Sequence, residues 1–433
     1  MAGISKKPRA RPNTWLGTPL TVIYSVMAAC LPASRTVFGT DIFLQVVVLG
    51  AMGLVLTALG YVARPPHAWL WIAGAVMIPA AGLISGANSS VSSSLLVGLI
   101  TAVMIVTQVC VFTRLVDERP PAVRHIVTWF IVGQTISAVA GVLQLLGFRV
   151  AEGLIFGRAT GLAEHPNTLG LMAVIVILIG LGAWKGAHGF VRIVLVGVMA
   201  LNGAALVGTG SLSAMLALAA GLFIGILAAR KVIGTAVTGI LVLALAGGAL
   251  ALSNVEQTFL DSIFFRIAVV TGQSSGGGGA ASLEVRELTY AWAWDWIDRS
   301  PILGVGLDPR NSGTFDGVTA VHNYLLRGWY QGGIIYVTWL ALLTLTVVFG
   351  IVISALRRRS DPWAASIAFG ILVFAFTAAF LNQPQYWMPF LLAFVLSSRR
   401  TSSPTDEPLP ESTPRSKRPK RRALATTGAT HSV

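Results

Sequence analysis

Charge is what this sequence has least of. Only 11% of its 433 residues are Asp, Glu, Lys or Arg, whereas a soluble domain carries roughly a quarter. A chain that is also 55% hydrophobic, with a mean hydropathy of +0.75, does not make an ordinary water-soluble surface. Cysteine is nearly missing: Cys30 and Cys110 both fall inside apolar runs, which leaves no disulfide framework and no thiolate metal cluster. There is no phosphate-cradling glycine loop, no dinucleotide fingerprint and no zinc-type His/Cys spacing. Asp295 and Asp298 stand three apart without the carboxylate cluster that holds a nucleotide-bound metal. No cofactor and no metal is therefore expected.

What the chain does have is a succession of apolar runs separated by short charged islands. Each hydrocarbon crossing needs about 20 mostly apolar residues, and open strands leave their backbone groups unbonded in lipid. The pattern predicts an all-α polytopic membrane protein of about 12 transmembrane helices, over 15–33, 41–63, 68–86, 91–113, 124–147, 168–184, 190–208, 212–229, 232–252, 330–354, 363–381 and 385–398. With the N-terminus on the cytoplasmic side, 23 of the 31 Lys and Arg residues fall inside and eight outside. Both termini are then expected in the cytoplasm, in the inner membrane of a bacterium. The net charge of +14 reads as a topology signal, with no nucleic-acid partner implied.

The chain divides into a basic N-terminus (1–14), nine spans (15–252), a large extracytoplasmic loop (253–321), three spans (322–398) and a basic tail (399–433). The tail is rich in Pro, Ser and Thr and is expected to be disordered, its Lys417–Arg422 cluster either touching anionic lipid headgroups or anchoring topology. In the loop, Phe259–Val270 suits a helix at the membrane interface, Gly276–Gly279 a flexible joint, and Leu283–Asp298 a second short helix. Trp292, Trp294 and Trp296 on that helix read as interfacial anchors before sugar-stacking platforms.

Three groups of residues gather on the outer side. The first is Gly157-Arg158-Ala159-Thr160-Gly161-Leu162-Ala163-Glu164-His165-Pro166-Asn167; the second holds Arg286 and the run Ser300-Pro301-Ile302-Leu303-Gly304-Val305-Gly306; the third is Val321-His322-Asn323-Tyr324 with Gln331-Gly332-Gly333. Each has a structural reading beside a functional one. Arg158 serves as a headgroup contact as readily as a ligand, Arg286 can pair along its helix with Glu284 or Glu287, His322 can cap the following span, and His165-Pro166 suits a helix start.

Arranged this way, the sequence resembles the O-antigen ligase and polymerase superfamily. Arg158 and Leu162 fit its Arg-x3-Leu element, His322 and Gly333 its His-x10-Gly element, and the Pro301/Gly304/Gly306 turn precedes the histidine as in that family; the resemblance covers about residues 40–398. It implies transfer of a glycan from a polyprenyl diphosphate carrier to an acceptor hydroxyl (of a glycan, lipid or protein) without metal or nucleotide. On that reading Arg158 and Arg286 bind the diphosphate and His322 accepts the hydroxyl proton. His165, Arg310, Tyr324 and Arg327 are further candidates for substrate binding. A polymerase differs only in its acceptor, a second lipid-linked unit. A polysaccharide or lipid flippase is the competing class, since twelve spans are common there, though no repeated halves are evident.

Overall fold

The computed structural model describes residues 14–33, 42–151, 153–155, 157–163, 165–184, 186–229, 278–308, 321–378 and 383–399. Among these residues the chain is helical, and the only strand-like pairing is an isolated bridge between Ile155 and Arg158. Seven helices are long and apolar enough to cross a membrane, lying within Ala68–Asn88, Val91–Glu118, Pro120–Leu145, Pro166–Ala183, Phe190–Thr209, Leu212–Ala229 and Tyr324–Leu356. This is a helical membrane protein. The expected span over 232–252, the interfacial helix over Phe259–Val270, Arg310 and most of both terminal segments lie outside the described residues.

The helices are α1 (Thr14–Cys30), α2 (Ile42–Ala58), α3 (Ala68–Ser85), α4 (Val91–Glu118) and α5 (Pro120–Leu145). They are followed by α6 (Pro166–Ala183), α7 (Phe190–Thr209), α8 (Leu212–Ala229) and α9 (Gly278–Arg299). The last three are α10 (Tyr324–Leu345), which continues through a π-helical stretch to Leu356, α11 (Pro362–Ala375) and α12 (Pro384–Ser397). Proline at the first helical position opens α6, α11 and α12, where its missing N–H and fixed φ cost nothing. The second loop helix starts earlier than expected: α9 begins at Gly278 and so takes in two glycines of the run read as a flexible joint.

Helix α6 is apolar on every side, and a helix of that kind belongs in an interior. It packs against α5, α7, α8 and α11, with 83% of its apolar window buried. Around it the bundle ends unevenly. At one end, called the base here, the chain just past α12 meets α4, where Arg399 pairs with Asp117. From that shared level α4 rises through 28 residues and α12 through only 14. At 1.5 Å per residue, α12 stops about 20 Å short of the top of α4. The N-termini of α6 and α8 and the end of α11 meet at the lower level: Thr168 Oγ1 bonds the Tyr386 hydroxyl at 2.9 Å, and Ser213 Oγ donates to the Thr377 carbonyl at 3.4 Å. The bundle therefore has a step at its upper end, with short helices as a floor and α3, α4 and α10 as a wall.

Candidate functional site

The His-x10-Gly segment is a chain reversal. Asn323 opens α10 as an N-cap, its Oδ1 accepting from the Leu325 and Leu326 amides at 3.0 Å each. Ten residues on, Gly333 adopts φ 64 and ψ −164, a region open in practice only to glycine. There the helix folds back on itself, so that the Tyr324 hydroxyl bonds Thr344 Oγ1, twenty residues later in the chain. A straight helix would separate those residues by about 30 Å. The membrane-crossing part of α10 thus starts after Gly333, and the arm Tyr324–Gly332 runs beside it.

The Pro301–Gly306 turn holds this reversal. The Val305 amide donates to the Tyr330 carbonyl at 2.8 Å, the Gly306 amide to the Gln331 carbonyl at 2.9 Å, and the Ile334 amide to the Ile302 carbonyl at 3.1 Å. Gly304 and Gly306 have φ of 77 and 111, and a side chain on Gly304 would strike the Gln331–Gly333 backbone. Asn88, between α3 and α4, fixes the turn to the wall by donating to the Gly304 carbonyl at 2.7 Å and to Ser300 Oγ at 2.9 Å. The motif glycines therefore carry geometry. They drop the start of α10, with His322 just before it, about 16 Å down the wall from Gly333, the rise of the eleven residues to Thr344. That depth matches the floor, where Tyr324 packs edge-on against Phe376 at 5.2 Å.

Helix α9 lies along the same arm. Its inward face carries Arg286, Thr289, Tyr290, Ala293 and Ile297, the spacing of one helical stripe. Ala293 and Ile297 pack with Val321, Leu326 and Tyr330. Trp292 meets Tyr330 at 5.3 Å, Trp294 meets Trp329 at 5.6 Å, and the Trp329 indole donates to the Pro301 carbonyl at 2.9 Å. These tryptophans bind the arm together, although Trp294 also keeps 48% of its surface exposed. Tyr290 links this face to the histidine, its hydroxyl donating to the His322 backbone carbonyl at 3.0 Å. Arg286 stands one turn earlier on the same stripe. Burial raises the Tyr290 phenol above its ordinary 10.0, and the neighbouring Arg286 charge opposes that shift. The His322 ring is partly covered, with Nδ1 buried.

Arg158 belongs to a second cluster at floor level. Gln144 on α5 clamps the loop that follows, its Oε1 accepting from the Thr160 and Gly161 amides at 3.0 and 2.9 Å. The Leu162 amide donates to Ser137 Oγ at 3.0 Å, and the Ala159 amide to the Gly208 carbonyl at 2.9 Å. The Arg-x3-Leu element is thereby pinned to α5 and α7. The Arg158 guanidinium donates through Nε to the Thr209 carbonyl at 2.6 Å and through Nη2 to Asn167 Oδ1 at 2.9 Å. Ser211 Oγ donates to the same Asn167 oxygen at 2.9 Å.

The remaining candidates sit as follows. His165 caps α6, its Nδ1 accepting from the Asn167 amide at 3.1 Å. Tyr324 and Arg327 are 1% and 6% exposed, and Arg327 Nε donates to Gln331 Oε1 at 3.2 Å. The structure thus links the helix that carries Arg286 to the His322 backbone through Tyr290 and places Arg158 in a separate cluster beside Asn167 and Thr209, while Tyr324 and Arg327 are buried within the arm. Tyr290 went unnoticed in the sequence, and Asn167 stood in the first outer group only as part of a helix entry. Tyr290 stands four residues after Arg286 and follows from the helical stripe once α9 is drawn; Asn167 gives no local sign of its part in holding Arg158. A separate cavity of about 310 Å³ lies between α1, α4, α5, α6, α11 and α12, and its lining (Phe112, Phe130, Ile175, Trp363, Leu392 and similar side chains, with Asp361 its one charged residue) is almost wholly apolar.

Residues 195–336 match the O-antigen ligase family. The matched segment is about a third of the chain and runs from α7 to just past the reversal, so it contains Arg286, the Pro301–Gly306 turn, His322 and Gly333, and follows Arg158. It supports the O-antigen ligase and polymerase superfamily resemblance read from the sequence. Together with the apolar helices, it supports a ligase- or polymerase-like membrane glycosyltransferase. No curated protein and no solved structure gives a significant match.

Proposed function

We propose that the protein transfers a glycan from a polyprenyl diphosphate carrier to an acceptor hydroxyl on the extracytoplasmic face of the bacterial cytoplasmic membrane. In this reading both termini are cytoplasmic and the segment 253–321 is extracytoplasmic. The supporting observation is the Tyr290–His322 hydrogen bond, which ties the Arg286 helix to the histidine at the head of the reversal. Arg286 and Arg158 hold the diphosphate oxygens, guanidinium being suited to bidentate phosphate binding. The N-termini of α6, α8 and α12 at the floor add positive potential where an anion is to sit. The acceptor oxygen forms its bond to the anomeric carbon on the face opposite the leaving group, and the carbon–oxygen bond to the diphosphate breaks, leaving the electron pair on phosphate. His322 accepts the hydroxyl proton. One such displacement inverts the anomeric carbon. Cations aimed at the developing phosphate charge contribute about 3–4 kcal/mol each, and general-base help a hundred- to ten-thousand-fold, as order-of-magnitude figures. With a second lipid-linked repeat as acceptor, the same step is polymerisation.

The test follows both acceptor-linked glycan and lipid-linked donor in cells making wild type, His322→Ala or Arg286→Ala at equal membrane levels. Loss of transfer with donor accumulating outside supports the reading. Persistent transfer in both variants removes the site assignment, and donor trapped inside turns the assignment to a flippase.

A further inference from the structure

We infer that Tyr290 is a positioning residue for the transfer step, its hydroxyl setting the orientation of the His322 peptide and hence of the imidazole. The inference rests on the proposed function and deepens it. Asn323 is the N-cap, and its carbonyl takes the first intrahelical bond, from the Arg327 amide at 2.8 Å. The His322 carbonyl lies one residue outside that ladder, so no helical turn orients it. Tyr290 supplies the orientation from a different element, donating at 3.0 Å across 32 residues of sequence. The phenol is itself held, because its ring is half-buried beside Ala293 and the Val321–Leu326–Tyr330 cluster.

Two consequences distinguish this arrangement from packing alone. Burial keeps the phenol protonated well past neutrality, so the bond to His322 persists over the whole range in which an imidazole titrates. And the bond connects the two functional elements directly: α9 carries Arg286 one turn below Tyr290 and packs along the arm, and the Tyr290 hydroxyl fixes that helix to the His322 peptide itself. A displacement of about 1 Å at a reacting group costs on the order of a hundredfold in rate. Tyr290→Phe keeps the ring and removes only the oxygen. Because donor binding is assigned to the arginines, the loss should fall on kcat and not on KM.

The experiment is a double-mutant cycle with purified full-length protein in liposomes, using a polyprenyl-diphosphate-linked oligosaccharide as donor and measuring kcat and donor KM. The expected result for Tyr290→Phe is a kcat lower by about 10- to 100-fold with KM within about twofold of wild type. In the His322→Ala background the same substitution should change the residual rate by less than about twofold, whereas in Arg158→Ala it should keep its full effect. Wild-type kcat in Tyr290→Phe, or full additivity with His322→Ala, overturns the inference while leaving the proposed function standing. Undiminished transfer by both His322→Ala and Arg286→Ala overturns the function itself and this inference with it. Thermal melting of each variant reports folding: a Tyr290→Phe protein that loses activity in proportion to lost folded fraction is a packing variant, and that outcome also overturns the positioning role.

Discussion

Replacing Gly333 with alanine attacks the feature on which the whole site depends. At φ 64 and ψ −164 an L-residue is strained whatever the space around it, by about 1–3 kcal/mol. Space is also lacking, because a Cβ would run into the Ile302 carbonyl oxygen and the Leu303 carbonyl carbon. Those are backbone atoms, and moving them stretches the Ile334–Ile302 and Val305–Tyr330 hydrogen bonds, each of which contributes about 1 kcal/mol net. The combined cost is about 3–5 kcal/mol, a shift of roughly two to nearly four orders of magnitude between the docked and opened reversal. The expectation is a lower melting temperature in detergent and transfer reduced at least tenfold at matched protein level. Gly197→Ala is the control, since nothing lies within 4 Å of a Cβ there on helix α7, and it should melt at or slightly above wild type. A Gly333→Ala protein with wild-type melting and wild-type transfer would refute the reasoning.

Three other outcomes are expected. Asn167→Ala removes the acceptor shared by Arg158 and Ser211; with about 1.5–3 kcal/mol for a charge-assisted bond, donor KM should rise roughly ten- to a hundredfold, measured by initial rates. The ratio of wild-type to Tyr290→Phe transfer should be flat from about pH 6 to 9, because the raised phenol pKa keeps the donor protonated there; stability linked to this group is lost only as pH rises above its ordinary 10.0 toward the folded value. At the base, burial lowers the His67 pKa below 6.5, so the stability this neutral ring contributes is present above 6.5 and is lost as pH falls through the folded value. The melting temperature should drop over that interval, and less so in His67→Gln.

Much of the bundle was legible because its signals are local. Runs of apolar residues with proline at the start place α6 and α12 within two residues of the predicted spans and fix the start of α11, which ends six residues early at Ala375, while α4 and α5 gain about a turn at their base ends. The reversal was not legible. The sequence suggests a span over 330–354 with Gln331-Gly332-Gly333 leading into it, whereas the crossing starts after Gly333 and a helical arm precedes it. What makes the arm is a set of backbone bonds to a turn about thirty residues earlier, and no periodicity carries that information. For the same reason the tryptophans on α9 read as interface anchors by type, yet Trp292 is committed to Tyr330 and Trp296. Arg158, Arg286 and His322 were found through the resemblance and the sidedness of the charges. The residues that hold them, Tyr290, Asn167 and Gln144, are ordinary polar side chains whose roles exist only once the helices are packed.

The central claim is that Arg286 and His322 act on one diphosphate-linked substrate. Its most direct test is transfer by purified protein in liposomes given polyprenyl-diphosphate-linked glycan and a hydroxyl acceptor, with released polyprenyl diphosphate and anomeric configuration read in the same reaction. The account predicts one carrier released per glycan transferred and inversion at the anomeric carbon. It also predicts loss of both signals in His322→Ala and Arg286→Ala. Retention of configuration, or undiminished carrier release by both variants, would contradict it.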